Sequence, residues 1–260
     1  MSDNFYRAFE DKHRGSRDLI KSRQRVYLPF IEPLQLIYSD AKAIDLGCGR
    51  GEWLELLKES SFDAQGVDLD DGMINESRKL DLNVRKADAI VALTQLPDES
   101  LSVVSGFHIA EHIKFSDLQK LVQEALRVLK PAGLLILETP NPENIVVGAC
   151  NFWLDPTHKR PIPPALLAFL PEHYGFARTK ILRLQQAKNI SDNKMLTLWA
   201  VLAGASPDYA VVAQKFADES ILAATSNAFE PEYGISVEAL ADMYHNHLMS
   251  KIEQAEAKSA

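Results

Sequence analysis

Residues 45–52 read Asp45-Leu46-Gly47-Cys48-Gly49-Arg50-Gly51-Glu52, a glycine turn between an apolar strand-like run and an amphipathic helical one. Glycine takes backbone angles closed to other residues, and its missing side chain lets a ligand lie against the main chain. The helix that follows offers unpaired N–H groups to polar ligand atoms. Spacing separates two chemistries. A dinucleotide site wants G-x-G-x-x-G around a pyrophosphate. Here the order is D-x-G-x-G-x-G, and Glu52 stands where that template has its last glycine. Carboxylates at 45 and 52 oppose a phosphate and suit a ligand with an ammonium or sulfonium end. Asp68 follows 23 residues after Asp45, at the end of the next strand-like run, where an acid can take both hydroxyls of a ribose. Asp88 comes 20 residues later and either accepts from an exocyclic adenine amine or caps a helix. Leu69 and Ala89, beside these acids, complete the expected cofactor-binding set.

A second group of chemistry-bearing residues lies downstream: His108, Glu111 and His112 in GFHIAEHI, then Asp155, His158 and Arg160 in DPTHKRP. The elements around them decide whether they meet. Short apolar runs at 42–47, 64–69, 82–87, 101–107 and 133–139 alternate with helical stretches such as 51–60 and 115–130. Such alternation predicts a doubly wound α/β sheet with parallel strands and right-handed crossovers. Ligands in such sheets bind beyond the carboxyl ends of the strands, which is where the glycine turn and both histidine segments fall. Residues 140–164 carry six prolines and read as a long, stiffened loop. The runs 180–185 and 195–203, joined by a polar link, read as an antiparallel pair closing the sheet edge.

Flanking this unit, residues 1–38 read as a helical cap, and Pro29 and Pro33 interrupt the helical spacing. The expected division is a cap at 1–38, a catalytic domain at 39–204, an irregular tail at 205–234 and an amphipathic helix at 235–260. That last helix carries Val237, Leu240, Tyr244, Leu248, Ile252 and Ala255 at an average step of 3.6. It either docks on the domain or begins a coiled coil that recruits another copy or a partner. Trp53 and Trp199 are expected in the core, and Phe152-Trp153 either stacks on a ligand ring or anchors its loop.

The chain of 260 residues has 46% hydrophobic and 25% charged residues, which excludes a disordered or fibrous protein. A net charge of −8 argues against nucleic acid as partner. The basic stretch 7–25, with seven Lys/Arg against three acids, is a local exception. Two cysteines, Cys48 and Cys150, make neither a disulfide framework nor a zinc site and point to a reducing compartment. No apolar run reaches the ~20 residues of a membrane-spanning helix, so a cytoplasmic location is expected.

Taken together, Asp45–Gly51, Asp68, Asp88 and Leu129-Lys130-Pro131-Ala132-Gly133-Leu134-Leu135 resemble the class I S-adenosylmethionine-dependent methyltransferases, over roughly residues 40–203. HRGS at 13–16, GFHIAEHI, ETPNPEN at 138–144 and DPTHKRP are similar to a bacterial branch associated with surface-polysaccharide assembly. Some relatives in that branch methylate the end of an O-antigen chain, and many are fused to coiled coils or glycosyltransferases. The resemblance implies S-adenosyl-L-methionine as cofactor and an O-methyltransferase acting on a saccharide hydroxyl. The rival acceptor is a small metabolite such as a quinol, and a cofactor-binding scaffold without catalysis is the alternative outside enzymology. It also implies that the N-terminal segment covers the cofactor, so that Arg14 and Arg17 clamp the methionine carboxylate or bind an anionic substrate. His108 is expected to line the cofactor pocket. A sugar hydroxyl is a poor nucleophile, and a positioned base should speed its reaction by ~10²–10⁴. His158 with Asp155 as its orienter is the favoured base, and His112 is its competitor. His158 as a mere substrate contact is the plainer role. Glu111, His112, Asp155 and His158 are all metal-ligand types, but their spacing does not demand a metal and none is expected.

Overall fold

The structure, a computed structural model, describes residues 15–187, 190 and 196–259. A helix α1 (Arg17–Gln24) starts behind Ser16, whose hydroxyl accepts from the Leu19 N–H at 3.3 Å. A short 3₁₀ turn, Arg25–Tyr27, links it to α2 (Leu28–Ile37). Pro29 does not stop the chain's helical course, because in the first turn of α2 its missing N–H costs nothing.

Seven strands follow: β1 (Lys42–Leu46), β2 (Asp63–Asp68), β3 (Val84–Lys86), β4 (Leu101–Phe107), β5 (Leu129–Pro140), β6 (Arg178–Leu184) and β7 (Asp208–Gln214). The crossovers are α3 (Glu52–Glu59), α4 (Asp71–Arg78), α5 (Ala89–Thr94) and α6 (Phe115–Val128). Strand order is β3-β2-β1-β4-β5-β7-β6, parallel except for β7, which runs antiparallel to both neighbours. This is the α/β doubly wound sheet with a closing antiparallel pair that the strand–helix alternation predicts. Strand order reverses between β1 and β4, so a crevice opens at their carboxyl ends.

Alternate residues of β5 show how the sheet builds two cores. Leu134 and Ile136 pack with Tyr27, Phe30 and Trp53 on one face. Leu135 and Leu137 pack with Leu118, Leu121 and Leu167 on the other, Leu167 coming from α8 (Pro164–Tyr174), which follows the short α7 (Ile145–Ala149). Trp53 is buried as expected.

Three expectations fail here. Of the run 195–203, residue 195 lies outside the described residues, as does most of the polar link before it, and the rest is not a strand: α9 (Leu198–Gly204) occupies it, capped by the Thr197 hydroxyl, which accepts from the Ala200 N–H. Trp199 on this helix is 66% exposed instead of lying in the core. The second antiparallel strand is β7, inserted between β5 and β6, so the sheet continues past residue 204. The supposed irregular tail also holds α10 (Glu219–Phe229), whose Phe229 ring meets that of Phe30 at 5.2 Å. It is an integral part of the domain. The last helix, α11 (Val237–Ser259), docks through Leu240, fully buried against Leu196, Val201 and Ala205. Beyond it Leu248 and Ile252 are exposed.

Candidate active site

The crevice at the β1–β4 switch is a cleft of about 800 Å³, large enough for a nucleoside-sized ligand and part of a second molecule. Its floor begins with the glycine turn. Gly47 and Gly49 both have positive φ and line the cleft. The Gly49 N–H donates to Asp68 Oδ2 at 2.8 Å, and the Asp70 N–H donates to Oδ1 at 2.8 Å. Asp68 is thus held in one orientation at the end of β2, with Leu69 beside it in the cleft wall. Gly51 has a different task. A Cβ there would lie 2.5 Å from Leu82 Cδ1, so this glycine keeps the start of α3 tight against its neighbours. Asp45 is buried and accepts from Ser105 Oγ at 2.8 Å, bracing β1 to β4 beneath the cleft without lining it.

Asp88 is a helix cap that also faces the cleft. Its Oδ1 caps α5 by accepting from Ile90 N and Val91 N at 2.9 and 3.0 Å, and the residue also lines the cleft together with Ala89.

The cationic wall differs from expectation. Arg14 lies outside the described residues. Arg17 turns away from the cleft to Glu55 Oε2, at 2.6 Å from Nη2, and to the Arg50 carbonyl, at 2.7 Å from Nη1. It therefore ties α1 to α3 instead of clamping a ligand. Arg23, with Ile20 and Gln24, supplies the face of α1 that closes the cleft. The three sit at i, i+3 and i+4, one face of a helix, and that spacing was the available signal. Among the described residues Gln24 Oε1 is buried without a hydrogen-bond partner, an acceptor that an ammonium group of a ligand can satisfy. Acids for a ribose and an adenine amine, a guanidinium for a carboxylate and an unpaired amide oxygen for an ammonium fit S-adenosylmethionine group by group.

The far end of the cleft is lined by histidines and carboxylates. His108 follows β4 with φ +54°, a conformation rare outside glycine. This turns its ring toward two acids: Nδ1 lies 3.1 Å from Glu111 Oε1, and Nε2 lies 3.6 Å from Glu138 Oε1. Burial favours the neutral ring, but the bond to Glu111 and the nearby Glu138 carboxylate outweigh it and raise the His108 pKa well above the imidazole range. Burial by itself would raise Glu111, and the His108 bond reverses this so that its carboxyl is lowered. Tyr27 donates to Glu138 Oε2 from beneath. Asp208, at the start of β7, is pushed up to about 6 by burial and by repulsion from Glu138 and Glu111, against the pull of His108.

His112, His158 and Asp155 do converge, but not in the expected pairing. His158 Nδ1 meets the Phe152 carbonyl at 2.6 Å, so that nitrogen carries the hydrogen. Its Nε2 is 3.8 Å from Asp155 Oδ2, beyond a hydrogen bond. Asp155 serves His112 instead. The Thr157 hydroxyl donates to Asp155 Oδ1 at 2.7 Å, which leaves Thr157 Oγ1 to accept from His112 Nδ1–H at 2.9 Å. Both imidazoles thereby have an Nε2 lone pair available. The two rings stand edge to face, 4.7 Å apart. Burial is the main cause of a lowered His112 pKa, with Glu111 opposing it. Phe152 is buried against the His158 ring at 4.5 Å, so it anchors the loop, while Trp153 is 54% exposed.

Glu138, Asp208, Thr157 and Arg23 were not read from the sequence as site residues. Glu138 and Asp208 belong to β5 and β7, and nothing in a strand's sequence shows which cavity its acid reaches.

A family model described as a methyltransferase domain matches residues 14–188. A protein named as a probable S-adenosylmethionine-dependent methyltransferase, from Mycolicibacterium smegmatis, is 32% identical over 133 residues, 51% of each chain. The ubiquinone biosynthesis O-methyltransferase of Methylococcus capsulatus is 28% identical over 126 residues, 43% of this chain and 51% of that protein. The chain spans about half the length of the curated relatives it matches. A crystal structure of a SAM dependent methyltransferase from Archaeoglobus fulgidus superposes with a TM-score of 0.71 at 33% identity, covering 81% of this chain and all of that one.

Proposed function

Since the chain belongs to the class I S-adenosylmethionine-dependent methyltransferases, we propose that it is an O-methyltransferase whose acceptor is a saccharide hydroxyl, at the end of a bacterial O-antigen polysaccharide. One observation carries this reading. The cleft that holds the cofactor-binding acids runs on into a polar chamber where Glu111, Glu138, Asp155 and Asp208 surround three histidines. Such a chamber suits an acceptor with several hydroxyl groups. When bound, the cofactor supplies a methyl group on a positively charged sulfur. Asp68 and Asp88 take its ribose and adenine, and Arg23 and Gln24 take its amino-acid end.

His112 is the proton acceptor in this reading. Its Nδ1–H is fixed by Thr157, so Nε2 faces the acceptor as a base, and Asp155 stabilises the imidazolium through the Thr157 hydroxyl. His158, held by the Phe152 carbonyl, positions the same hydroxyl. His108 stays protonated between its acids and gives the chamber a hydrogen-bond donor.

The apolar side chains of Leu69, Ile109, Ile113 and Leu154 along the same cleft favour a second reading, methylation of a quinol-like metabolite. The similarity to a ubiquinone biosynthesis O-methyltransferase points the same way. A screen with methyl-labelled cofactor, defined oligosaccharides and a hydroquinone separates the two. Label in an oligosaccharide supports the first reading; label only in the hydroquinone replaces it with the second.

Two accompanying proposals concern location and partners. Cys48 and Cys150 form no disulfide, which supports a cytoplasmic site of action. Among the described residues no helix is long and apolar enough to cross a membrane. The exposed Leu248, Met249 and Ile252 on α11 support self-association or contact with a glycosyltransferase partner. Light scattering of the chain and of one ending at His245, which keeps the docked turns, reads the self-association. Equal monomeric masses remove it.

A further inference from the structure

The hydrogen bonds that prepare His112 and His158 as bases also prepare them as ligands. A metal-binding imidazole characteristically donates its other ring N–H to a carbonyl or a carboxylate-backed group, which fixes the tautomer and the ring plane. His158 Nδ1 does this to the Phe152 carbonyl at 2.6 Å, and His112 Nδ1 does it to Thr157, itself tied to Asp155. Beside the rings is Glu111, wholly buried, its Oε2 accepting from Thr139 at 2.9 Å and its Oε1 4.0 Å from His158 Nε2. One donor atom from each of Glu111, His112 and His158 lies within 4.8 Å of the other two.

We propose that Glu111, His112 and His158 form a binding site for a divalent first-row transition-metal cation at the acceptor end of the cleft. Two imidazoles and one carboxylate select manganese, iron, cobalt, nickel or zinc over magnesium or calcium, whose sites are built from oxygen. With bonds of about 2.1 Å, neighbouring ligands of a tetrahedral ion lie about 3.4 Å apart, so donor atoms within 4.8 Å of one another draw together by up to about 1.4 Å on binding, through side-chain rotation. Three protein ligands leave further positions on the cation open toward the cleft. The neighbouring group His108, Glu138 and Asp208 has equally close atoms, but both His108 nitrogens point at carboxylates and the ring offers no lone pair.

This inference rests on the proposed reading of hydroxyl activation and changes the agent. With a cation bound, the metal would polarise the acceptor hydroxyl, and its proton would pass to the Asp155 carboxylate or to solvent in place of a free imidazole.

The test uses chelator-stripped full chain, titrated with Co²⁺ and separately with Zn²⁺ by calorimetry and, for Co²⁺, by visible absorption. The expected result is one ion per chain with ligand-field bands. Binding weakens at least tenfold in His158→Ala and in Glu111→Gln, while S-adenosylmethionine affinity is retained as the check on folding. No stoichiometric binding to the stripped wild type, or equal binding to His158→Ala, overturns the site. Stripped enzyme that methylates at full rate while His112→Ala does not also overturns it, and leaves the free-base reading in place. Metal binding without methylation of any hydroxyl acceptor keeps the site and removes the functional reading.

Discussion

Replacing Asp208 by Asn makes the protein more stable near neutral pH, by an amount set by the position of this carboxyl in the fold. Asp208 opens β7 and lines the cleft. Burial and the charges of Glu138 and Glu111 push its pKa from 3.8 to about 6, although His108 pulls the other way. The native state therefore binds this proton more tightly than the unfolded chain does. The stability so contributed is fully present below the unfolded value and is lost as pH rises through the folded one. At about 1.36 kcal/mol per pH unit, the interval between those two values corresponds to roughly 3 kcal/mol. Asn has the shape of the neutral acid and never ionises, so the variant keeps that stability at every pH. Urea unfolding at about pH 4 and about pH 8 reads the difference. The two proteins should be nearly equal in acid, with the variant ahead by up to about 3 kcal/mol in base, or several degrees in Tm. A gain that is the same at both values, or a loss at the higher one, refutes the reasoning. A residue that costs stability in this way persists where function needs it, and Asp208 lies in the chamber with His108 and Glu138.

Asp68→Ala should weaken S-adenosylmethionine binding measured by calorimetry about 10- to 100-fold, because each charge-assisted hydrogen bond is worth ~1.5–3 kcal/mol. Arg23→Ala should weaken the same binding about tenfold through the lost carboxylate contact. Arg17→Ala should leave it within about a factor of two, since its guanidinium is spent on Glu55 and Arg50; the reverse order would return the clamp to Arg17. Thr157→Val should slow methyl transfer about 10- to 100-fold by cutting His112 from Asp155. Wild-type rate, followed against pH, should fall only below the ordinary imidazole range of about 6.5, because burial lowers His112. Gly51→Ala should cost about 1–3 kcal/mol in urea unfolding, from its φ of +78° and the 2.5 Å approach to Leu82.

Much of this architecture is legible in the chain itself. The runs that became β1 and β4 are largely apolar, short and bounded by turn residues, and amphipathic helical stretches alternate with them. Those local patterns hold in any context, so they place the glycine turn, Asp68 and the His108–His112 segment at the same edge of one sheet. The sequence also marks Asp88 for its place, because N-capping is decided within three residues.

Tertiary structure decided the rest. Residues 198–203 are so uniformly apolar that no period separates strand from helix, and only the Thr197 cap and the packing of Val201 on Leu240 settle it. Strand β7 lies buried between two others, so its side chains show no alternation to read. Which arginine of α1 faces the cleft depends on how the helix rolls against α3, where Glu55 takes Arg17 and leaves the cleft wall to Arg23. Asp155 and His158, three apart in sequence, look like a pair. The fold gives Asp155 to His112 through Thr157 and His158 to a carbonyl. Hydrogen bonds are short and directional, and only three-dimensional proximity, here between segments about 45 residues apart, can tell a base from its neighbour.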